Sequence, residues 1–131
     1  MLEADDANLA VRVVTGDILA GEVAGTTAVI VDDLIASGGT LQRAARTARE
    51  HGATGVIAAA THGLFVGEAG ATLADPALDA VVVTNSVPAF RLTDPAARDK
   101  LTVLDVAPLV GDAIACVRTG GSLAELLGTE S

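Results

Sequence analysis

VIVDDLIASGGTL, residues 29–41, decides the fold. A continuous β-branched run ends in two adjacent carboxylates, Asp32 and Asp33. A small-residue turn follows, and then a helix-like pattern begins. AVIVD (28–32) reads as a fully buried strand. TLQRAARTAREHG (40–52) reads as a helix with Leu41, Ala44, Ala45 and Ala48 on one face. Gln42, Arg43, Arg46 and Arg49 lie largely opposite as a solvated stripe, and Gly52 is placed to end the helix. Strand, turn and helix in this order are the start of a βαβ unit.

The rest of the chain repeats that alternation. VIAAAT (56–61), AVVVTN (80–85) and LTVLD (101–105) read as further buried strands, and GEAGATLA (67–74) as a weaker helix stopped at Asp75-Pro76. Asp105 is a plausible N-cap for a last clear helix, with Pro108 tolerated in its first turn. Val106, Leu109, Val110, Ala113, Ile114 and Val117 form its apolar stripe, Gly120-Gly121 ends it, and SLAELL (122–127) reads as a short terminal helix. Upstream, VRVV (11–14) is β-like, TGDILAGEVAGT (15–26) is a hairpin or loop, and residues 1–10 are a linker or a frayed end. The strands look apolar on both faces, so the expected fold class is α/β: a parallel sheet flanked by helices, in one domain over residues 1–131.

Composition agrees. Hydrophobic residues make up 50% of the chain and aromatics 2%, so the core is built of Val, Leu, Ile and Ala. The formal charge is −9, with Lys100 the sole lysine among eight basic residues, which argues against a nucleic-acid partner. Cys116 is the only cysteine, at helical spacing among apolar residues, and reads as a buried small hydrophobe. No apolar run approaches the length of a membrane span, and the expected location is the cytosol.

In open parallel sheets ligands gather at the carboxyl ends of the strands, where residues 32–40 fall. Gly38 and Gly39 allow close backbone approach. The first amides of a helix have no internal partner and, with the hydroxyls of Ser37 and Thr40, form a cup of donors suited to a phosphate. Asp32 and Asp33 repel such an anion, but they suit hydroxyl groups a few ångströms away, or Mg²⁺ held jointly with substrate oxygens. A ligand with phosphate at one end and vicinal hydroxyls at the other satisfies both halves, and a ribose 5-phosphate is such a ligand. The alternative is that the acids merely end a strand and SGGT merely starts a helix. His62, at the end of the second strand, either lines the same site or serves as a structural hydrogen-bonding group. Asn85 and Ser86 divide in the same way between turn and site. His51 reads as a helix-end group. Phe65 belongs either to the core or to a subunit contact. No Cys/His cluster has zinc spacing.

VIVDDLIASGGTL resembles the phosphoribosyl diphosphate binding signature of the type I phosphoribosyltransferase fold, shared by salvage phosphoribosyltransferases and ribose-phosphate diphosphokinase. The flanks resemble the diphosphokinase: GDILAGEVAG (16–25), ATHGLFVGEA (60–69), VVVTNSVP (81–88), KLTVLDVAPLVGDAI (100–114) and GGSLAELL (120–127). The resemblance implies ribose contacts from Asp32 and Asp33 and a 5-phosphate held by Ser37, Gly38, Gly39 and Thr40. It implies Mg²⁺ and ATP as cofactor and co-substrate, and either a homo-oligomer or a separate N-terminal half as partner. The family reaction moves diphosphate from Mg-ATP to the C1 hydroxyl of ribose 5-phosphate, giving phosphoribosyl diphosphate. Ala36 stands where the family often has an acid, so one ribose contact is absent. The chain resembles only the C-terminal half of the enzyme. The N-terminal ATP contacts and a basic cluster have no counterpart, since Arg12 stands alone in residues 1–26. The expectation is a chain that binds the sugar phosphate but makes no product unaided. A salvage transferase is less favoured, because only 28 residues precede Val29, too few for its base-binding hood and mobile loop. A non-catalytic subunit that binds sugar phosphate beside an active synthetase is the third reading.

Overall fold

The computed structural model describes residues 23–128. The expected elements at 1–10 and 11–14, and most of the loop at 15–26, lie outside the described residues. Four strands, β1 (Thr27–Ile35), β2 (Gly55–Gly63), β3 (Ala80–Thr84) and β4 (Leu101–Leu104), form one parallel sheet in the order β1-β2-β3-β4. The helices are α1 (Gly39–Glu50), α2 (Ala69–Leu73), α3 (Pro95–Asp99), α4 (Ala107–Thr119) and α5 (Leu123–Leu126). A 3₁₀ turn at Ala89–Arg91 and helix α3 are too short to carry hydrophobic periodicity, and the sequence reading assigned no element there. Asp94 caps α3 by accepting from Ala97 N–H at 3.1 Å, ahead of Pro95 at its first position.

The parallel sheet with flanking helices is as expected, and among the described residues the crossover helices cover one of its faces. The strand order explains this. Each crossover moves one strand along in the same direction, and right-handed connections then place every crossover helix on the same side. Burial follows: Ala28, Ile30, Val56, Ala58, Val81 and Val83 are sealed beneath the helices, while Val31, on the other face, is 42% exposed. Helix α1 delivers the predicted stripe of Leu41, Ala44, Ala45 and Ala48 to β1 and β2. Phe65 is fully in the core, and Phe90 is exposed beneath Arg91.

Two arginines of α1 are tethered rather than simply solvated. Arg46 donates to Asp75, which also accepts from Gln42 at 2.8 Å and from Ala77 N–H at 2.8 Å. Arg49 donates to both carboxylate oxygens of Asp79 at 2.7 Å, and to the carbonyls of Ala77 and Thr54. Asp79 in turn accepts from Val56 N–H at 2.7 Å. Both clamps bind α1 to the segment entering β3.

Helix α4 lies where the sequence places it, but its apolar stripe is not core. Leu109, Val110, Ile114 and Val117 are exposed, with Ile114 at 64%, and the helix packs chiefly on α5. Cys116 is half-buried rather than enclosed. The cap residue is Val106, with no side-chain cap, and Asp105 acts one residue earlier by accepting from Ala107 N–H at 3.0 Å. Among the described residues no helix is long and apolar enough to cross a membrane.

Candidate functional site

Strand β1 runs three residues further than its apolar core suggests, so Asp32 and Asp33 lie within it rather than at its end. Parallel pairing with β2 carries it on: Asp32 is opposite Ala60, Leu34 opposite His62, and Ile35 opposite Gly63. The chain then turns through Ala36, Ser37 and Gly38 into α1.

Glycine is required at 38 for two reasons. Its φ is +79°, and a β-carbon there would lie 3.1 Å from Thr72 Cγ2 on α2. The turn is braced from behind by the loop after β2. Ile35 C=O accepts from Leu64 N–H at 2.9 Å, and Ala36 C=O accepts from Val66 N–H at 3.0 Å. Phe65 anchors that loop, with its ring so close to Gly63 that a β-carbon there would come within 2.5 Å of it.

The first helical bond of α1 runs from Gln42 N–H to Gly38 C=O at 2.9 Å. The amides of Gly39, Thr40 and Leu41 precede it and have no carbonyl one turn back within the helix. They border a cavity of about 110 Å³ lined by Asp32, Leu34, Ile35, Ala36, Ser37, Gly38, Gly39, Thr40 and Leu41. Asp32, Ala36, Ser37, Gly38, Gly39 and Thr40 are thus brought together as the sequence reading expects. Asp33 is not: it is exposed and lines neither this cavity nor the next one. Successive strand residues project to opposite faces, which divides the two acids. Asp33 N–H donates to Asp32 Oδ1 at 2.8 Å, fixing the Asp32 carboxylate and leaving Oδ2 outside that bond.

A second, largely apolar cavity of about 210 Å³ lies on the uncovered sheet face, lined by Val31, Asp32, Ala59, Thr61, Val82, Thr84 and Leu104 among others. Asp32 belongs to both. His62 lines neither cavity: its Nδ1 pairs with Ser86 Oγ at 2.7 Å, and Thr84 Oγ1 donates to Thr61 C=O at 2.7 Å, joining the ends of β2 and β3. Asn85 is a tether: it donates to Asp105 at 2.7 Å and accepts from Val106 N–H at 3.0 Å. The Ala107 amide, and after it the Asn85 side-chain amide, hold the Asp105 carboxyl below its ordinary range. His51 pairs with Thr47 C=O at the end of α1.

Sequence reasoning treated Arg43 as a solvated surface residue. Its Nη2 lies 3.3 Å from Thr40 Oγ1, and its Nη1 lies 3.7 Å from where a β-carbon on Gly39 would be. The signal was available in the spacing, because residues three apart on a helix are neighbours and Arg43 follows Thr40 by three. Among the described residues no group of three or more His, Cys, Asp or Glu side chains gathers as a metal cage.

Comparison with known proteins gives the chain a family and a fold. The family model for the phosphoribosyl synthetase-associated domain matches residues 10–128. The chain is 40% identical over 106 residues to a ribose-phosphate pyrophosphokinase of Aquifex aeolicus, covering 81% of this chain and 33% of the relative. The corresponding protein of Ralstonia nicotianae is 43% identical over 107 residues, again 81% and 33%. The crystal structure of phosphoribosylpyrophosphate synthetase from Mycobacterium smegmatis superposes with a TM-score of 0.69 at 40% identity, over 78% of this chain and 33% of that one. The chain thus spans about a third of the length of the relatives it matches. Its parallel sheet with flanking helices is of the phosphoribosyltransferase type. By sequence and by fold, the chain belongs to the phosphoribosyl synthetase-associated domain family.

Proposed function

We propose that residues 1–131 form one domain equivalent to the C-terminal half of a ribose-phosphate diphosphokinase, and that its cup binds ribose 5-phosphate. The observation that carries this reading is the cavity itself. Helix-start amides and the hydroxyls of Ser37 and Thr40 stand on one side, and a fixed carboxylate, Asp32, stands on the other. The amides and the helix dipole favour the phosphate, while Asp32 Oδ2 accepts from a ribose hydroxyl. Asp33, set apart from the cavity, reaches the sugar only from its outer side. Ala36 supplies no side-chain acceptor, so ribose orientation falls mainly on Asp32.

In this reading the sugar is held for transfer of diphosphate to its C1 oxygen, the α–β bond of ATP breaking as AMP leaves. Mg²⁺ fits the donor set only as an ion shared with substrate oxygens, because Asp32 and Asp33 are too few to enclose it alone. When bound, it neutralises charge on the transferring phosphates. The one-sided strand order supports the idea of half a cleft. Open α/β sheets bind ligands where the strand order reverses, and the four described strands run one way only. Partners in this reading are the N-terminal half of such an enzyme or further copies of this chain. A salvage transferase is disfavoured, since the relatives named above are pyrophosphokinases or synthetases.

Calorimetric titration of the purified chain with ribose 5-phosphate, adenine and guanine tests the reading. Binding of the sugar phosphate alone is expected, with no product formed when Mg²⁺ and ATP are added. Absence of sugar-phosphate binding, or preferential binding of a base, would overturn it.

A further inference from the structure

The ends of β2 and β3 carry a hydrogen-bonded cluster that the cup does not use. His62 Nδ1 lies 2.7 Å from Ser86 Oγ, and Ser86 Oγ lies 3.2 Å from Thr61 C=O. Thr84 Oγ1 lies 2.7 Å from the same carbonyl and 2.8 Å from Ser86 Oγ, and its one proton serves either partner. Each hydroxyl has a single proton to give, and so has a neutral imidazole. If Ser86 gives its proton to His62, the cluster makes two bonds, the other being that of Thr84. If His62 Nδ1–H donates to Ser86, Ser86 donates to Thr61 C=O and the Thr84 bond remains, which makes three. The carbonyl has lone pairs for both hydroxyls, so the second arrangement is favoured. It leaves Nε2 of the neutral ring as a bare acceptor. That ring is exposed, and Nε2 has no partner among the described residues.

The cluster stands between the two cavities. Asp32 lines both, and Thr61 and Thr84 line the second. In the β1–β2 register Asp32 is opposite Ala60, and Leu34, which lines the cup, is opposite His62. Side chains alternate along a strand, so Asp32, Leu34 and His62 project to one face of the sheet. The cup is lined by no residue of β2, and β1 is the outer strand of the described sheet. A ligand anchored in the cup and lying over the strand ends therefore continues toward β2. There His62 is the one side chain of the strand that takes up a proton near neutral pH.

Resting on the reading of the cup as a ribose 5-phosphate site, we infer that His62 Nε2 is the proton acceptor for the C1 hydroxyl of the bound sugar. Ser86 is the positioning residue that holds the ring in this tautomer. An imidazole fixed through Nδ1–H, with Nε2 bare, is the arrangement that general-base histidines use. In the transfer step the C1 oxygen gives its proton to His62 Nε2 and forms a bond to the β-phosphorus of the nucleoside triphosphate. The bond from that phosphorus to the oxygen bridging it to the α-phosphorus breaks, and the nucleoside monophosphate leaves with that oxygen.

The test is NMR of the full chain, with the imidazole nitrogens read by long-range proton–nitrogen correlation. The variants are His51→Gln, which assigns the two histidines, Ser86→Ala and His62→Ala, each checked for folding by circular dichroism. At about pH 8, where an ordinary imidazole is neutral, His62 is expected to carry its proton on Nδ1, and Ser86→Ala should move the balance toward Nε2–H. Ribose 5-phosphate should perturb the His62 Nε2 resonance. Inorganic phosphate, and anhydroribitol 5-phosphate, which lacks the C1 hydroxyl, should bind without doing so. His62→Ala should bind ribose 5-phosphate about two- to tenfold more weakly, the effect of one hydrogen bond, and inorganic phosphate as wild type does. A neutral His62 protonated on Nε2, an Nε2 resonance indifferent to ribose 5-phosphate, or an equal response to the anhydro compound would overturn the assignment while leaving the cup reading intact. A wild-type chain that binds neither ribose 5-phosphate nor inorganic phosphate would overturn both.

Discussion

Gly38 and Thr72 meet at the back of the cup: a β-carbon on the turn residue would lie 3.1 Å from Thr72 Cγ2 on α2, a tight contact that α2 would have to yield to. The contact ties the turn that positions the helix-start amides to an element of the neighbouring crossover. Gly38→Ala must therefore bear both a left-handed backbone, at about 1–2 kcal/mol, and a tight contact with Thr72. A drop of several degrees in melting temperature is expected, together with loss of ribose 5-phosphate binding. The double variant Gly38→Ala/Thr72→Ala should recover the steric part and not the backbone part. Equal stability of Gly38→Ala and wild type would show that the turn is not held as described.

Asp75 is the buried acid among the described residues. The Ala77 amide, then Arg46 and Gln42, hold its carboxyl below the ordinary carboxylate range against the opposing effect of burial. A lowered folded-state pKa means that the stabilisation is fully present above the unfolded-state value of about 3.9 and is lost as pH falls through the folded value. Asp75→Asn should cost about 1–3 kcal/mol at pH 7, the scale for disrupting a buried polar group with charged partners. The difference from wild type should shrink as pH falls below about 4. Urea unfolding at pH 7, 5 and 3 measures this; a constant difference would place the stabilisation elsewhere.

Much of this was legible from local pattern. The strands, α1 with its buried stripe, and the cup followed from periodicity and from the chemistry of SGGT, because backbone conformation and helix-start amides are local properties. What escaped was set by partners distant in sequence. Arg46 and Arg49 looked solvated because Asp75 and Asp79 lie about 30 residues away. Asn85 could not be told from a turn residue until Asp105 came beside it. Which face the described helices cover was not legible for a different reason. Apolar strands announce that both faces avoid water, while strand order alone decides which face the crossover helices cover.

The division between Asp32 and Asp33 gives a third prediction. Asp32 lines both cavities and Asp33 neither. Asp32→Asn keeps the oxygen that accepts from Asp33 N–H, so folding stability should stay within about 0.5 kcal/mol of wild type, as for surface changes generally. Ribose 5-phosphate binding should weaken about tenfold or more, the scale of a charged hydrogen bond, and by clearly less in Asp33→Asn. Inorganic phosphate should bind Asp32→Asn at least as well as wild type, since a repelling charge is gone while the amide cup remains. A parallel loss of both ligands would mean that Asp32 shapes the cup rather than contacting the sugar.

The apolar stripe of α4 provides the last. In an enclosed helix, a carboxylate in place of Ile114 would be buried without a partner and would unfold the domain. Here Ile114 is 64% and Val117 63% exposed, so Ile114→Glu removes little packing. Its melting temperature should stay near that of wild type, with a change of about 0.5 kcal/mol or less. Leu73→Ala, at a fully buried position, should by contrast cost about 2–5 kcal/mol. Because the stripe leaves Leu109, Val110, Ile114 and Val117 exposed on one helix, Ile114→Glu should also reduce concentration-dependent association in sedimentation experiments. Severe destabilisation of Ile114→Glu would show instead that α4 packs against a covering surface in solution, with its stripe serving as core.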